Sequence, residues 1–222
     1  MIETIVLERR VFSLAQGEVD LEVVARPEEL IGDPADEYQI PCWAEVWPAA
    51  LALASYLSGQ DLHGQKVLEL GCGLGLPGLV AALRGAIVTF NDYHPEALEL
   101  VGHNARRLGL VERVRFHQGD WRCFTLAERF DLVLASDVMY DPKLNPFLLR
   151  LFNDHVAPGG RLVVSHPNRR DTLAALDGLR GGSGWTERSW EVTVATGDPL
   201  FPEATIRLHC LTRLVVVPLP KP

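Results

Sequence analysis

Four short stretches hold residue types that could do chemistry. In "VLELGCGLGLPGLVAAL" (67–83), Glu69 stands just ahead of Gly71, Gly73 and Gly75. Glycines there allow a tight turn and a close backbone approach to a ligand. The helix that should follow offers free N–H groups at its start. Read as Gly73-Leu-Gly75-Leu-Pro-Gly78, the loop also satisfies GxGxxG, the dinucleotide fingerprint. A nucleotide-type cofactor is therefore implied. A carboxylate at Glu69 would repel a pyrophosphate and suits a ligand carrying an ammonium or sulfonium group. In "TFNDYHPEAL", Asp92 can take both hydroxyls of a ribose, a position that NAD sites share. In "QGDWR", Trp121 can stack on an adenine and Asp120 can accept from its amino group. Plainer readings stand beside these: an Asp after a strand often caps a helix, and a Trp often packs in the core. In "DLVLASDVMYDPKL", an apolar run ends by presenting Ser136, Asp137 and Tyr140. Asp137 could also cap a helix, and Tyr140 could simply pack.

These residues need elements that bring them together. Apolar runs predict strands at Lys66–Leu70, Ile87–Asn91, Val114–Gln118, Phe130–Ala135 and Arg161–Ser165. Helical spacing predicts Leu76–Arg84, Pro95–Leu108, Leu144–His155 and Arg170–Leu179 between or after them. Such alternation builds an α/β Rossmann-like fold with a mostly parallel sheet and helices on both faces. Two β-like runs, "WTERSWEVTVAT" and "TIRLHCLTRLVVV", complete seven strands as a hairpin, with "RGGSG" (180–184) as a turn before them. Ahead of the sheet, "WPAALALASYL" reads as a helix with Pro48 in its first turn. "IGDPADEYQIPCW" reads as a loop, and two short strands joined through Gln16-Gly17 form an N-terminal β extension. The domain expectation is an extension over 1–40 and a catalytic domain over 41–222. In open α/β sheets ligands bind at the carboxyl ends of the strands. Glu69, Asp92, Asp120 and Asp137 all stand at or just after such ends.

At 222 residues and a net charge of −8, the chain suits one α/β domain and has no basic stripe for nucleic acid. Cys42, Cys72, Cys123 and Cys210 form no CxxC pair and read as reduced, buried thiols, which makes the cytoplasm the expected compartment. Seven scattered histidines show no ligand spacing, so no metal is expected. No uncharged run is long enough for a membrane span. A monomer is expected.

"LELGCGLG" resembles motif I of the class I S-adenosylmethionine-dependent methyltransferases, and Asp137-Val-Met-Tyr140 resembles the DxxY signature of the small seven-strand protein-lysine methyltransferases. The resemblance runs from about Tyr38 to the C-terminus. The [N/D]PP[Y/F] turn usual in methyltransferases of planar nitrogens is missing. "PCW" followed by "WP" looks closest to the branch containing the electron-transfer-flavoprotein β-subunit enzyme, while the glycine-loop segment looks equally like other branches. The resemblance implies S-adenosylmethionine as cofactor and a lysine-bearing protein as partner. It places Trp47 against the cofactor, Gly71, Cys72 and Gly73 at the methionine end, Asp92 at the ribose, Trp121 at the adenine, and Ser136 beneath, and Tyr93 is also expected at the cofactor. Asp137 and Tyr140 become the expected catalytic pair.

The implied chemistry is energetically feasible. Presenting a neutral lysine amine near neutral pH costs roughly 4 kcal/mol. A carboxylate raises an amine's pKa, so Asp137 recruits and orients the cation. A sulfonium about 4 Å away opposes the ammonium by roughly 4 kcal/mol at an effective dielectric near 20. Tyr140 would wall the channel, and the loops 165–170 and 196–205 would shape substrate choice. His166 reads more simply as a satisfied loop histidine than as a catalytic one. The alternatives are a small-molecule amine or pyridine acceptor and, from GxGxxG, an NAD-dependent oxidoreductase.

Overall fold

The computed structural model describes residues 4–32, 40–181 and 184–215. Seven strands form one sheet: β3 (Lys66–Leu70), β4 (Ile87–Asp92), β5 (Val114–Gln118), β6 (Phe130–Ser136), β7 (Val156–His166), β8 (Trp185–Ala195) and β9 (Glu203–Arg213). Their order is β5-β4-β3-β6-β7-β9-β8. The first five run parallel, β9 is antiparallel to β7, and β8 and β9 form a hairpin. The chain thus winds outward from β3 to β5, then crosses back to β6 on the other side of β3. That reversal opens a crevice above β3 and β6.

Both faces of the sheet are covered, because successive side chains of a buried strand point to opposite sides. On β3, Val67 joins the core beneath α1 (Pro48–Ser58), α2 (Leu76–Leu83) and α3 (Pro95–Arg107). Leu68 and Leu70 join the second core, beneath α4 (Asn145–His155) and α5 (Arg170–Gly181). Glu69 alternates with them and so is aimed under α2. Helix α1 opens with Pro48, whose missing N–H costs nothing at a first helical position. Its buried Ala49, Ala52, Leu53 and Leu57 lay it against α2 and the β7–β9 side of the sheet.

The expected elements form, with several differences. Strand β7 begins at Val156, not Arg161: Phe130 pairs with Val156, the register then shifts, and Leu132 pairs with Arg161. The intervening Ala-Pro-Gly-Gly is a bulge, and a Cβ on Gly160 would sit 3.0 Å from the Asp131 carbonyl. Helix α5 continues through Gly181, so the "RGGSG" turn begins later, and residues 182–183 lie outside the described residues. Most of the expected loop "IGDPADEYQIPCW" also lies outside them; Cys42–Ala44 form a short 3-10 turn. The thiols differ from expectation too: Cys72 is buried, but Cys42 and Cys123 are exposed.

Strands β1 (Leu7–Ser13) and β2 (Glu18–Val24) form a separate two-stranded sheet. Among the described residues it is not hydrogen-bonded to the seven-stranded sheet. It packs on α3: the Glu22 amide donates to Asn104 Oδ1 at 2.8 Å, and Asn104 Nδ2 returns a bond to the Glu22 carbonyl at 2.8 Å. Among the described residues no helix is long and apolar enough to cross a membrane.

Candidate functional site

The crevice is a cleft of about 500 Å³ at the carboxyl ends of β3, β4 and β6. Trp47, Glu69, Gly71, Cys72, Gly73, Gly75, Asp92, Tyr93, Asp120, Trp121, Ser136, Asp137 and Tyr140 all line it. The structure therefore brings every candidate residue to one place.

Its floor is the turn from β3 into α2. Gly71, Gly73 and Gly75 all take positive φ, at 59°, 50° and 69°. At Gly71 space also decides, since an added Cβ would meet Val138 Cγ1 at 2.8 Å and the Trp121 ring at 3.0 Å. The turn is tied to β4 twice: the Cys72 amide donates to the Asn91 carbonyl and the Gly73 amide to Asp92 Oδ2, at 2.9 and 2.8 Å. Asp92 Oδ1 accepts from the His94 amide at 2.9 Å, so this carboxylate joins the glycine turn to the start of α3. Burial pushes its pKa up, against those two amide bonds.

Glu69 is 1% exposed, and its Oε2 accepts from the Gly78 amide at 2.9 Å. Burial lifts its pKa to about 8. The side chain is therefore mainly neutral at pH 7, and charge repulsion from Glu69 is not what disfavours a pyrophosphate. Glu45, Asp92, Asp120, Asp137 and Asp141 line the cleft, two of them paired, Asp120 with Arg122 and Asp137 with Arg169.

Asp120 both caps a turn and lines the cleft. It caps the short turn Trp121–Cys123 by accepting from the Arg122 amide at 2.8 Å, and it pairs with the Arg122 guanidinium, which holds its carboxyl below the usual range. The Trp121 indole is pinned by a 2.9 Å bond from Nε1 to Asn91 Oδ1, with its ring edge over Gly71. The Ser136 hydroxyl is buried in the cleft wall with no hydrogen-bond partner, so it has bonding capacity for a ligand. Trp47 donates its indole N–H to the Cys42 carbonyl at 2.9 Å and stands at the rim with Tyr93 and Tyr140, these three being 42%, 64% and 54% exposed.

Asp137 caps no helix, since α4 starts at Asn145 with Leu144 as its N-cap. It is held instead by Arg169, whose Nε donates to Oδ1 at 2.6 Å and Nη2 to Oδ2 at 2.9 Å. The loop 165–170 was expected near the site, but this arginine was not singled out. A carboxylate at a buried strand end needs a partner, and "NRR" is a cationic signal close by. His166 is a buried strand residue with partners on both ring nitrogens, not a loop histidine. The loop 196–205, expected to shape substrate choice, does not line the cleft. Asn91 and Gly78 were also missed; their roles depend on contacts across elements. No group of three His, Cys, Asp or Glu side chains among the described residues is placed to hold a metal ion.

Residues 35–175 match the family described as "Lysine methyltransferase". The histidine protein methyltransferase 1 homolog of Dictyostelium discoideum is 36% identical over 128 residues, covering 54% of this chain and 41% of that protein. The EEF1A lysine methyltransferase 3 of Mus musculus is 35% identical over 133 residues, covering 58% and 57%. The electron transfer flavoprotein beta subunit lysine methyltransferase of Rattus norvegicus is 32% identical over 136 residues, covering 60% and 52%. Similarity to that branch is thus no greater than to the others, and the chain spans about half the length of these curated relatives. The match extends over more than half of the chain and contains the glycine turn, Asp92, Trp121, Asp137 and Tyr140; the chain belongs to the lysine methyltransferase family, on the class I S-adenosylmethionine-dependent methyltransferase fold.

Proposed function

We propose that this chain transfers a methyl group from S-adenosylmethionine to a lysine side chain of a protein substrate. The observation that carries the reading is that Asp137 and Tyr140 line the same cleft as the glycine turn, with Tyr140 on its open aromatic rim. A free metabolite is best held in a closed pocket, whereas a lysine on a protein needs a channel with an accessible mouth.

When bound, the cofactor supplies an electrophilic methyl on a sulfonium. The acidic lining of the cleft suits that cation, and the unpartnered Ser136 hydroxyl and bare glycine turn leave room and bonding capacity for it. Gly71, Cys72, Gly73 and Gly75 with Glu69 hold the amino-acid end. Asp92 and Tyr93 hold the ribose, Asp120 and Trp121 the adenine, and Trp47 and Ser136 complete the wall. Asp137 orients the acceptor amine and Tyr140 walls its channel. The amine held there would give its lone pair to the methyl that the bound cofactor supplies and release one proton to water. Catalysis is mostly alignment, so no strong base is required. We take 41–222 as the methyltransferase domain and 1–40 as an extension, working as a cytoplasmic monomer.

A ring nitrogen of a protein histidine is the second reading, favoured by the similarity to a histidine protein methyltransferase. Methyl-labelled S-adenosylmethionine in a lysate of the source cell tests both. Label on a discrete protein band, lost with Asp137→Asn and mapped to lysine, supports the proposal. Label on histidine selects the second reading, and label only on small molecules overturns both.

A further inference from the structure

Lysine methylation poses a charge problem at Asp137. The carboxylate that orients an ammonium also stabilises it, and an opposite charge within about 4–6 Å moves a pKa by about 1–3 units. A bare Asp137 would offset the effect of the sulfonium and leave the amine protonated.

We propose that Arg169 is a positioning residue that cancels the charge of Asp137, so that the acceptor amine loses its proton near neutral pH; this rests on the reading of the chain as an amine methyltransferase. The geometry fits the role. Arg169 grips both carboxylate oxygens, at 2.6 and 2.9 Å, yet Asp137 lines the cleft and Arg169 does not. The guanidinium therefore lies behind the carboxylate and leaves each oxygen a further lone pair for the amine. The two partners approach from left-handed backbone: Asp137 has φ 51° and Asn168, next to Arg169, φ 54°. These are the only non-glycine residues with positive φ among those described, and such strain persists only where the surroundings impose it.

Arg169 is also secured from behind. Its amide donates to His166 Nδ1 at 2.9 Å, so that nitrogen carries no proton. A neutral His166 then has its proton on Nε2, which faces His209 Nε2 at 3.0 Å. His209 must in turn carry its proton on Nδ1, which meets Glu187 Oε1 at 2.5 Å, and Glu187 pairs with Arg180. One tautomer chain, buried at both histidines, runs from the Arg180–Glu187 pair to the Arg169 backbone.

The charged groups around the pair leave the alkaline range readable. Tyr140 and Asp141 follow β6, Asp92 ends β4, Cys42 precedes α1, His166 ends β7, and Arg207 faces His166 from β9 with Glu191 of β8 on it. Burial drives His166 down to about 4 and lifts both Tyr140 and Cys42. Glu69, near 8 on β3, makes no contact with Arg169 and contributes equally to every Arg169 variant.

The test is the pH dependence, from about 6 to 10, of label transfer to the substrate band by wild type, Arg169→Gln and Arg169→Lys. Thermal shift with S-adenosylhomocysteine reports whether each protein folds with its cleft intact. Arg169→Gln should move the alkaline apparent pKa up by about one unit or more. Its rate near pH 7 should fall about tenfold or more and largely recover near pH 9.5. Arg169→Lys keeps the charge and should return most of that shift. A loss in Arg169→Gln that is equal at all pH values overturns the proposal, because it marks a purely structural role. If Arg169→Gln does not fold, Arg169→Lys decides: a profile like wild type supports the proposal, and a uniform loss overturns it. If wild type binds S-adenosylhomocysteine but labels no protein, the functional reading itself has failed and this inference falls with it.

Discussion

Glu69 on β3 and Gly78 on α2 are built against each other. The Gly78 amide donates to Glu69 Oε2 at 2.9 Å, and a Cβ on Gly78 would lie 2.4 Å from that oxygen and 2.4 Å from Phe90 Cε1. The glycine is needed for the close approach of helix to strand, and the carboxyl gives a helix amide a partner inside an apolar core.

Gly78→Ala should therefore be costly at a position remote from any open surface. Overpacking of this kind destabilises by about 1–3 kcal/mol. In a chain of this size the melting temperature should fall by roughly 3–10 °C. Thermal unfolding checks it; an unchanged melting point would show that Phe90 and Glu69 yield freely.

Glu69 should also set a pH dependence. Its folded pKa, about 8, lies above the ordinary 4.5 because of burial. The folded protein retains a proton that the unfolded chain loses, so stability declines as pH rises from 4.5 and levels off above about 8. Glu69→Gln keeps an acceptor for Gly78 without the charge, and should be the more stable protein at pH 8.5, by on the order of a few kcal/mol. Urea melts at several pH values compare the two slopes. Binding of S-adenosylhomocysteine, whose ammonium favours the ionised carboxyl, should release a proton near pH 7. Calorimetry in buffers of different ionisation enthalpy measures that release.

The histidine pair should give the opposite slope in acid. Burial lowers His166 to about 4 from 6.5, and lowers His209 as well. Their contribution is complete above 6.5 and is lost as pH falls toward 4. His166→Asn keeps an acceptor for the Arg169 amide but breaks the bond to His209. It should be less stable at pH 7, with a smaller further loss on going to pH 4.5.

Trp121 separates stacking from anchoring. Trp121→Phe loses the bond to Asn91 but keeps a ring beside Gly71, whereas Trp121→Ala loses both. Stacking on a base is worth about 1–3 kcal/mol. Trp121→Ala should thus weaken S-adenosylhomocysteine binding about 5- to 150-fold, and Trp121→Phe much less. Equal losses in titration calorimetry would mean that the Asn91 bond, not the ring face, sets the affinity.

Much of this protein could be read without its coordinates. The alternation of apolar runs, the glycines after Leu70 and the acids after each strand follow local rules, since a strand that is buried on both faces must be apolar and a tight turn must take positive φ. That is why β3, β5 and α1 fall where their spacing puts them, and why the candidate residues meet in one cleft once parallel strands share an end. Tertiary structure alone decided which partner each charged group takes. Asp137 reaches Arg169 across 32 positions, and Glu69 finds a backbone amide in the next helix. Local sequence specifies where a side chain leaves the backbone, but the energy of a buried charge depends on what packs against it from elsewhere in the chain.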